Sequence, residues 1–91
     1  MSTQNILDIA DTRFGPVLNI LLTESEPFAD FYFVACRRND APIKERPYMT
    51  ITARVEKQGA NKGHVSFFWG HYDLDYGKMH EAYIKARPTQ R

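Results

Sequence analysis

The chain has 91 residues and a formal net charge of +1, with twelve basic side chains against eleven acidic ones. This length predicts a single domain over residues 1–91. The hydrophobic fraction of 43% is sufficient for a packed core and argues against wholesale disorder. Apolar runs are short, so no segment is expected to span a membrane. The near-neutral charge neither favours nor excludes a nucleic-acid partner.

The single cysteine, Cys36, cannot form an internal disulfide. The first residues, M-S-T-Q-N, have neither the basic nor the apolar stretch of a secretory signal. These features predict a reduced, cytoplasmic protein. The apolar neighbours Val34 and Ala35 predict that the thiol is buried or half-buried.

Charge is unevenly distributed along the chain. Residues 1–30 carry one basic side chain against five acidic ones, whereas residues 31–64 carry seven against three. Such a distribution forms a basic face only if the fold brings the middle basic residues together.

The N-terminal segment is ambiguous, and a strand follows it. Residues 3–14 fit either a short helix ended by Gly15 or a strand, and a strand or irregular lead-in is the preferred interpretation. Residues 16–23 are apolar on both faces apart from Asn19, which predicts a central strand.

A second strand is predicted over residues 28–38. Its alternation places two sets on opposite faces, namely Phe31, Phe33 and Ala35 against Tyr32, Val34 and Cys36. The two prolines at Pro42 and Pro47 predict an irregular loop after it.

Residues 48–57 alternate most regularly. The side predicted to pack on the core carries Met49, Ile51, Ala53 and Val55, and the side predicted to face water carries Tyr48, Thr50, Thr52, Arg54 and Glu56. Gly59 and Gly63 predict a hairpin loop, so residues 48–57 should pair antiparallel with the strand that follows.

The most aromatic stretch of the chain is G-H-V-S-F-F-W-G-H-Y-D-L-D-Y, residues 63–76. Simple alternation places Val65, Phe67 and Trp69 in the core and Ser66 and Phe68 on the other face. Gly70 predicts a bulge or a close backbone approach. Asp73 or Asp75 is expected to cap a helix over residues 76–87.

These elements predict an α+β fold: a four- to five-stranded antiparallel sheet, or a small half-open barrel, with a C-terminal α-helix. The strand count and the basic, aromatic middle section resemble an OB-fold. The connection between the third and fourth strands is too short for the usual helix of that fold, so the resemblance is an analogy of architecture only.

No catalytic motif is recognisable, and we expect neither an enzyme nor a cofactor. There is no glycine-rich phosphate loop and no nucleophile elbow. His71, Asp73 and Asp75 would share one side of a regular strand, but their spacing matches no known metal site, and helix capping explains the aspartates. No metal is therefore expected.

The most concrete functional prediction is single-stranded nucleic-acid binding. Proteins of this class stack bases on exposed aromatic side chains and contact phosphates with nearby cations. The predicted stacking residues are Tyr48, Phe68 and Tyr72, and the predicted phosphate contacts are Arg54, Lys57 and Lys62. The exposure of Phe68 is decisive, because burial beneath the C-terminal helix would remove it from such a surface.

The alternative is a protein–protein interaction module that uses the same surface. Tyrosine, tryptophan, phenylalanine and arginine are the residue types that anchor interfaces. An inhibitor or adaptor, of which a phage- or mobile-element-encoded protein would be one form, fits this composition. A homodimer is its simplest version.

Overall fold

A four-stranded antiparallel sheet separates two helices. The computed structural model describes residues 2–87. Its elements are, in chain order, α1 (Ser2–Arg13), β1 (Val17–Ser25), β2 (Ala29–Arg37), β3 (Tyr48–Glu56), β4 (Val65–Leu74) and α2 (Tyr76–Ala86). Each strand pairs with the next in the order β1-β2-β3-β4. The predicted α+β class is confirmed; the sheet is open, so the OB-like barrel alternative is not confirmed.

The N-terminal segment is helical, so the preferred prediction of a strand or irregular lead-in is wrong. Ile6 and Ala10 lie four residues apart, on one face of α1, and both are fully buried against the sheet. The chain then turns at Gly15, which has φ 144°. A Cβ atom there would lie 2.0 Å from the carbonyl oxygen of Arg37, so only glycine fits.

The main core lies between α1 and one face of the sheet, which we call the α1 face. The buried strand residues on this face are Tyr32, Val34, Cys36, Met49, Ile51, Ala53 and Val55. The predicted alternation of β2 and β3 is therefore confirmed. Cys36 is fully buried as well, and burial raises the pKa of its thiol to about 11.

The first strand occupies an edge of the sheet, and the prediction of a central strand is wrong. β1 pairs only with β2. The prediction relied on Leu18 and Leu22 to make both faces of β1 apolar, but these side chains are 43% and 44% exposed. Apolar composition alone therefore did not distinguish a central strand from an edge strand.

The opposite face, which we call the α2 face, is partly covered by the C-terminal helix and so is not uniformly the wet surface predicted for β3. Thr50 is only 3% exposed, and the ring centroids of Phe33 and Tyr83 are 6.1 Å apart. The predicted cap is confirmed at Asp75, whose carboxylate accepts a 2.8 Å hydrogen bond from the backbone N–H of Lys78. Within residues 2–87, neither helix is long and apolar enough to cross a membrane.

The predicted hairpin between β3 and β4 is confirmed, with Gly59 and Gly63 at φ 81° and 90°. β4 itself is irregular. Thr52 pairs with Phe68 and Thr50 with His71, so β4 has one more residue than β3 over this interval. This is a β-bulge at the place that Gly70 predicted. The extra residue is accommodated by Trp69, which has φ 59°.

A second irregularity follows in the same strand. Tyr48 pairs with Leu74 while Thr50 pairs with His71, so β4 again has one residue more than β3. Asp73 has φ 58° at this point. The two shifts decide which β4 side chains face α2.

Candidate functional site

Trp69 has the most exposed large hydrophobic side chain in the part of the chain that the structure describes, at 76%. The prediction that it lies in the core is wrong, because the bulge removes it from the alternation that begins with Val65. Phe67 does pack against the core, with its ring centroid 5.4 Å from that of Phe14. Two aromatic residues that sequence alternation placed together are thus separated.

The Trp69 indole borders an open cleft of about 360 Å³ on the α2 face of the sheet. We call this the aromatic cleft; its lining residues are Thr23, Glu24, Glu26, Phe28, Phe31, Thr52, Phe68 and Trp69. The rings of Phe68 and Trp69 meet edge to face, with centroids 4.9 Å apart. Phe68 is half-buried, and no residue of α2 lines the cleft beside it.

Arg54 supports the aromatic cleft from the neighbouring strand. Its guanidinium carbon lies 5.3 Å from the ring centroid of Phe28 and 5.6 Å from that of Phe31, within cation–π range. Arg54 Nε also donates a 2.6 Å hydrogen bond to Glu56 Oε2. The cation expected to contact phosphate is therefore already engaged by two rings and a carboxylate.

Two carboxylates make the rim of the aromatic cleft acidic. A side-chain hydrogen bond with Glu26, together with the negative charge of Glu26, raises the pKa of Glu24. Glu24 and Glu26 both line the cleft. A cation brought to this rim would relieve their repulsion, whereas a phosphate would add to it.

The α2 face carries several of the residues predicted for it. Register places Thr52 opposite Phe68 and Arg54 opposite Ser66. Helix α2 nevertheless divides this face, since Tyr48 lies against Tyr76 at the first residue of the helix, with ring centroids 5.6 Å apart. Tyr48 and Phe68 therefore do not form one continuous stacking surface.

Tyr72 is directed away from the aromatic cleft. His71 pairs with Thr50 on the α2 face, so alternation places Tyr72 on the opposite side of β4. There the guanidinium carbon of Arg38 lies 5.2 Å from the Tyr72 ring centroid. The structure does not bring Tyr72 together with Phe68.

The two predicted lysine contacts also lie outside the lining of the aromatic cleft. Lys57 Nζ is 3.2 Å from the carboxylate of Asp30 and donates a hydrogen bond of the same length to Ser25. Hydrogen bonding from Ser25, and the contact with Lys57, lower the pKa of Asp30. Lys62 is exposed in the β3–β4 hairpin loop. Of the six predicted residues, Phe68 lines the cleft and Arg54 lies against its rings.

Trp69, Phe28 and Phe31 are cleft residues that sequence reasoning missed. Gly70 was the available signal for Trp69, because it marked the bulge. Phe28 and Phe31 belong to the β1–β2 hairpin, and only the pairing of Phe31 with Arg54 brings them beside β4 residues.

The residues of the H-x-D-x-D run are not aligned on one side of β4 as a regular strand would align them. The shift at Asp73 interrupts the alternation that would have aligned it with His71, and Asp75 caps α2. Over residues 2–87, no three histidine, cysteine, aspartate or glutamate side chains are grouped so that they could hold a metal ion.

The aromatic cleft combines side chains from separate parts of the chain. Its aromatic side chains come from β4 and from the β1–β2 hairpin, and its rim is acidic. No family model matches this chain, and no curated protein or solved structure is significantly similar to it.

Proposed function

We propose that this chain is a small, non-catalytic binding protein whose aromatic cleft receives a segment of a protein partner. The observation that carries the proposal is the exposed Trp69 indole on a backbone at φ 59°. A bulky residue in this conformation is a genuine outlier, and such strain costs about 1–3 kcal/mol and clusters at functional sites. The bulge accounts for the left-handed backbone, but it does not explain why the residue there is a tryptophan with a 76% exposed side chain.

The residue types around Trp69 are those that anchor protein interfaces. Tryptophan and arginine are enriched among the side chains that contribute most of the binding energy. Phe28, Phe31 and Phe68 complete an apolar surface beside the indole, and Arg54 holds the first two rings in place. A cleft of about 360 Å³ is large enough for one or two apolar side chains of a partner.

The acidic rim favours a partner segment that carries a positive charge. The raised pKa of Glu24 reflects the hydrogen bond and the repulsion between two neighbouring carboxyl groups. A lysine or arginine next to the apolar anchor of the partner would favour the ionised form of Glu24 and lower this pKa. The partner segment is thus expected to carry a basic side chain beside an apolar one, and its binding should release protons over the range in which Glu24 titrates.

Single-stranded nucleic acid receives less support as the partner. Arg54 is paired with Glu56 and Lys57 with Asp30, so neither cation is free for a phosphate. Phosphate contacts dominate most nucleic-acid affinities, and the rim of the aromatic cleft is acidic. At the aromatic cleft, base stacking on Trp69 and Phe68 would therefore have to supply most of the binding energy.

A selection from a random peptide library displayed on phage, with the wild-type chain as bait, tests the proposal. We expect selected peptides to share an apolar side chain flanked by lysine or arginine. A Trp69→Ala variant should lose their binding, and a Tyr72→Ala variant, which removes an exposed aromatic ring outside the cleft, should retain it.

Trp69 is the only tryptophan, so its fluorescence reports directly on the aromatic cleft. Selected peptides should shift its emission to shorter wavelength, whereas oligothymidylate should leave it unchanged. Peptides that bind the wild-type chain and Trp69→Ala equally would contradict the proposal. Quenching by oligothymidylate at lower concentrations than any peptide would favour the nucleic-acid alternative instead.

A further inference from the structure

We infer that a second cleft, at the other end of β2 and β3, binds the phosphate groups of a small phosphorylated molecule. This basic cleft has a volume of about 520 Å³. Its lining residues are Pro16, Arg37, Arg38, Asn39, Ala41, Lys44 and Pro47. Three of them carry a positive charge and none carries a negative one, so part of the basic middle section of the chain is concentrated here.

The walls of the basic cleft are tied together by backbone hydrogen bonds. The N–H of Arg37 donates to the carbonyl of Pro16 at 3.0 Å, and that of Arg38 to the carbonyl of Pro47 at 2.7 Å. The N–H of Asn39 donates to the carbonyl of Phe14 at 3.1 Å. Segments before β1, after β2 and before β3 are therefore held in a fixed arrangement, which keeps a binding site preorganised.

Arg38 is oriented by its neighbours. Its guanidinium lies 3.4 Å from the carboxylate of Asp73 and 3.8 Å from that of Asp40, and its central carbon lies over the Tyr72 ring. The side chain is only 21% exposed. Arg38 thus presents a guanidinium of fixed direction, whose charge is largely balanced by the two aspartates.

Arg37 and Lys44 supply the charge that is not balanced. Both are exposed, and within residues 2–87 no side-chain hydrogen bond or ion pair involves either of them. An anion in the basic cleft would therefore meet two free cations beside one oriented guanidinium. The arginine guanidinium matches phosphate oxygens in a planar, bidentate geometry, and lysine adds a point charge.

The size and isolation of the basic cleft indicate a small molecule and not a polymer. Its volume falls within the roughly 300–1,000 Å³ of ordinary small-molecule sites. At the opposite end of β3, Arg54 and Lys57 are paired with acidic groups, and Glu24 and Glu26 line the aromatic cleft. Because they are paired, Arg54 and Lys57 are not free to continue the phosphate contacts of a polymer beyond the basic cleft.

Calorimetric titration with inorganic pyrophosphate and with adenosine triphosphate tests this inference. We expect both to bind saturably, more weakly at physiological than at low salt. Arg37→Ala and Lys44→Ala should each weaken binding about tenfold, since each removes one charged contact. Lys85→Ala is the matched control, because it also removes one exposed positive charge, from α2, and it should change the dissociation constant less than twofold.

Comparing pyrophosphate with adenosine triphosphate shows whether the basic cleft recognises phosphate groups alone or a nucleotide. Equal affinity for both would assign recognition to the phosphate groups alone, and tighter binding of the nucleotide would add a contact with its nucleoside. The inference is overturned if neither probe binds at millimolar concentration, or if Lys85→Ala weakens binding as much as the cleft variants. It is also overturned if oligothymidylate binds while both small probes do not.

Discussion

Replacing Trp69 by glycine should change the free energy of unfolding by no more than about 1 kcal/mol, although tryptophan is the largest residue in the chain. Glycine would relieve the left-handed backbone conformation, which costs an L-residue about 1–2 kcal/mol. It would lose about 0.5–1 kcal/mol through the greater freedom of the unfolded chain. These two contributions have opposite signs and nearly cancel.

The remaining contribution to the free energy of unfolding comes from the small part of the indole that is buried. A buried tryptophan removes about 200 Å² from water. With 76% of Trp69 exposed, about 50 Å² is covered, which is worth about 1 kcal/mol at about 25 cal/mol/Å². Had Trp69 lain in the core, as alternation predicted, truncation would cost about 3–5 kcal/mol or more.

Urea-induced unfolding followed by far-ultraviolet circular dichroism measures the change without relying on the lost fluorophore. Phe67→Ala is the comparison, because Phe67 packs on the core beside Phe14, and about 2–3 kcal/mol should be lost there. A destabilisation by Trp69→Gly of about 3 kcal/mol or more, or one equal to that of Phe67→Ala, would refute the reasoning. Strong quenching of wild-type Trp69 fluorescence by acrylamide is expected independently.

Three further changes test the fold. Gly15→Ala should remove about 3 kcal/mol or more of stability, since its Cβ would meet the Arg37 carbonyl; urea unfolding like that of the wild type would contradict this. Asp75→Ala should lower stability by about 1 kcal/mol and the melting temperature by about 4–8 °C, whereas Asp75→Asn should retain most of the cap. The pKa of Cys36 is about 11 in the folded chain against an ordinary 9.0. As pH rises, the Cys36 thiol therefore loses its proton in the unfolded chain at a lower pH than in the folded chain. Stability should therefore fall as pH rises from 9 to 11, and Cys36→Ala should remove that part of the fall; identical pH profiles would contradict it.

Most of the fold was predictable because β2 and β3 alternate without interruption. Val34 and Ile51 are buried beneath α1, as the period-two pattern required. The helical structure of the N-terminal segment was harder to predict from the sequence. Only Ile6 and Ala10 anchor the helix on the sheet, and neighbouring residues alternate like a strand. Burial of those two side chains against a sheet formed later in the chain decides between the two structures.

The candidate site was only partly predictable because it depends on pairing between distant segments. Phe68 was identified from its position opposite the core. Trp69 points outward because β4 has one residue more than β3 between the pairs Thr52–Phe68 and Thr50–His71. The sequence of β4 alone does not show how it pairs with β3. The approach of Phe31 likewise depends on the register of β2 against β3.

The two irregularities of β4 also affect how copies of this protein can associate. β4 is an edge strand, and a regular edge is a template on which another chain can extend the sheet into a fibre. Trp69 and Asp73, with their left-handed backbones, divide it into the short runs 65–68 and 70–72. Neither run reaches the usual strand length of about five to six residues. The edge strand that contains the exposed tryptophan therefore resists hydrogen-bonded pairing with a strand of another copy.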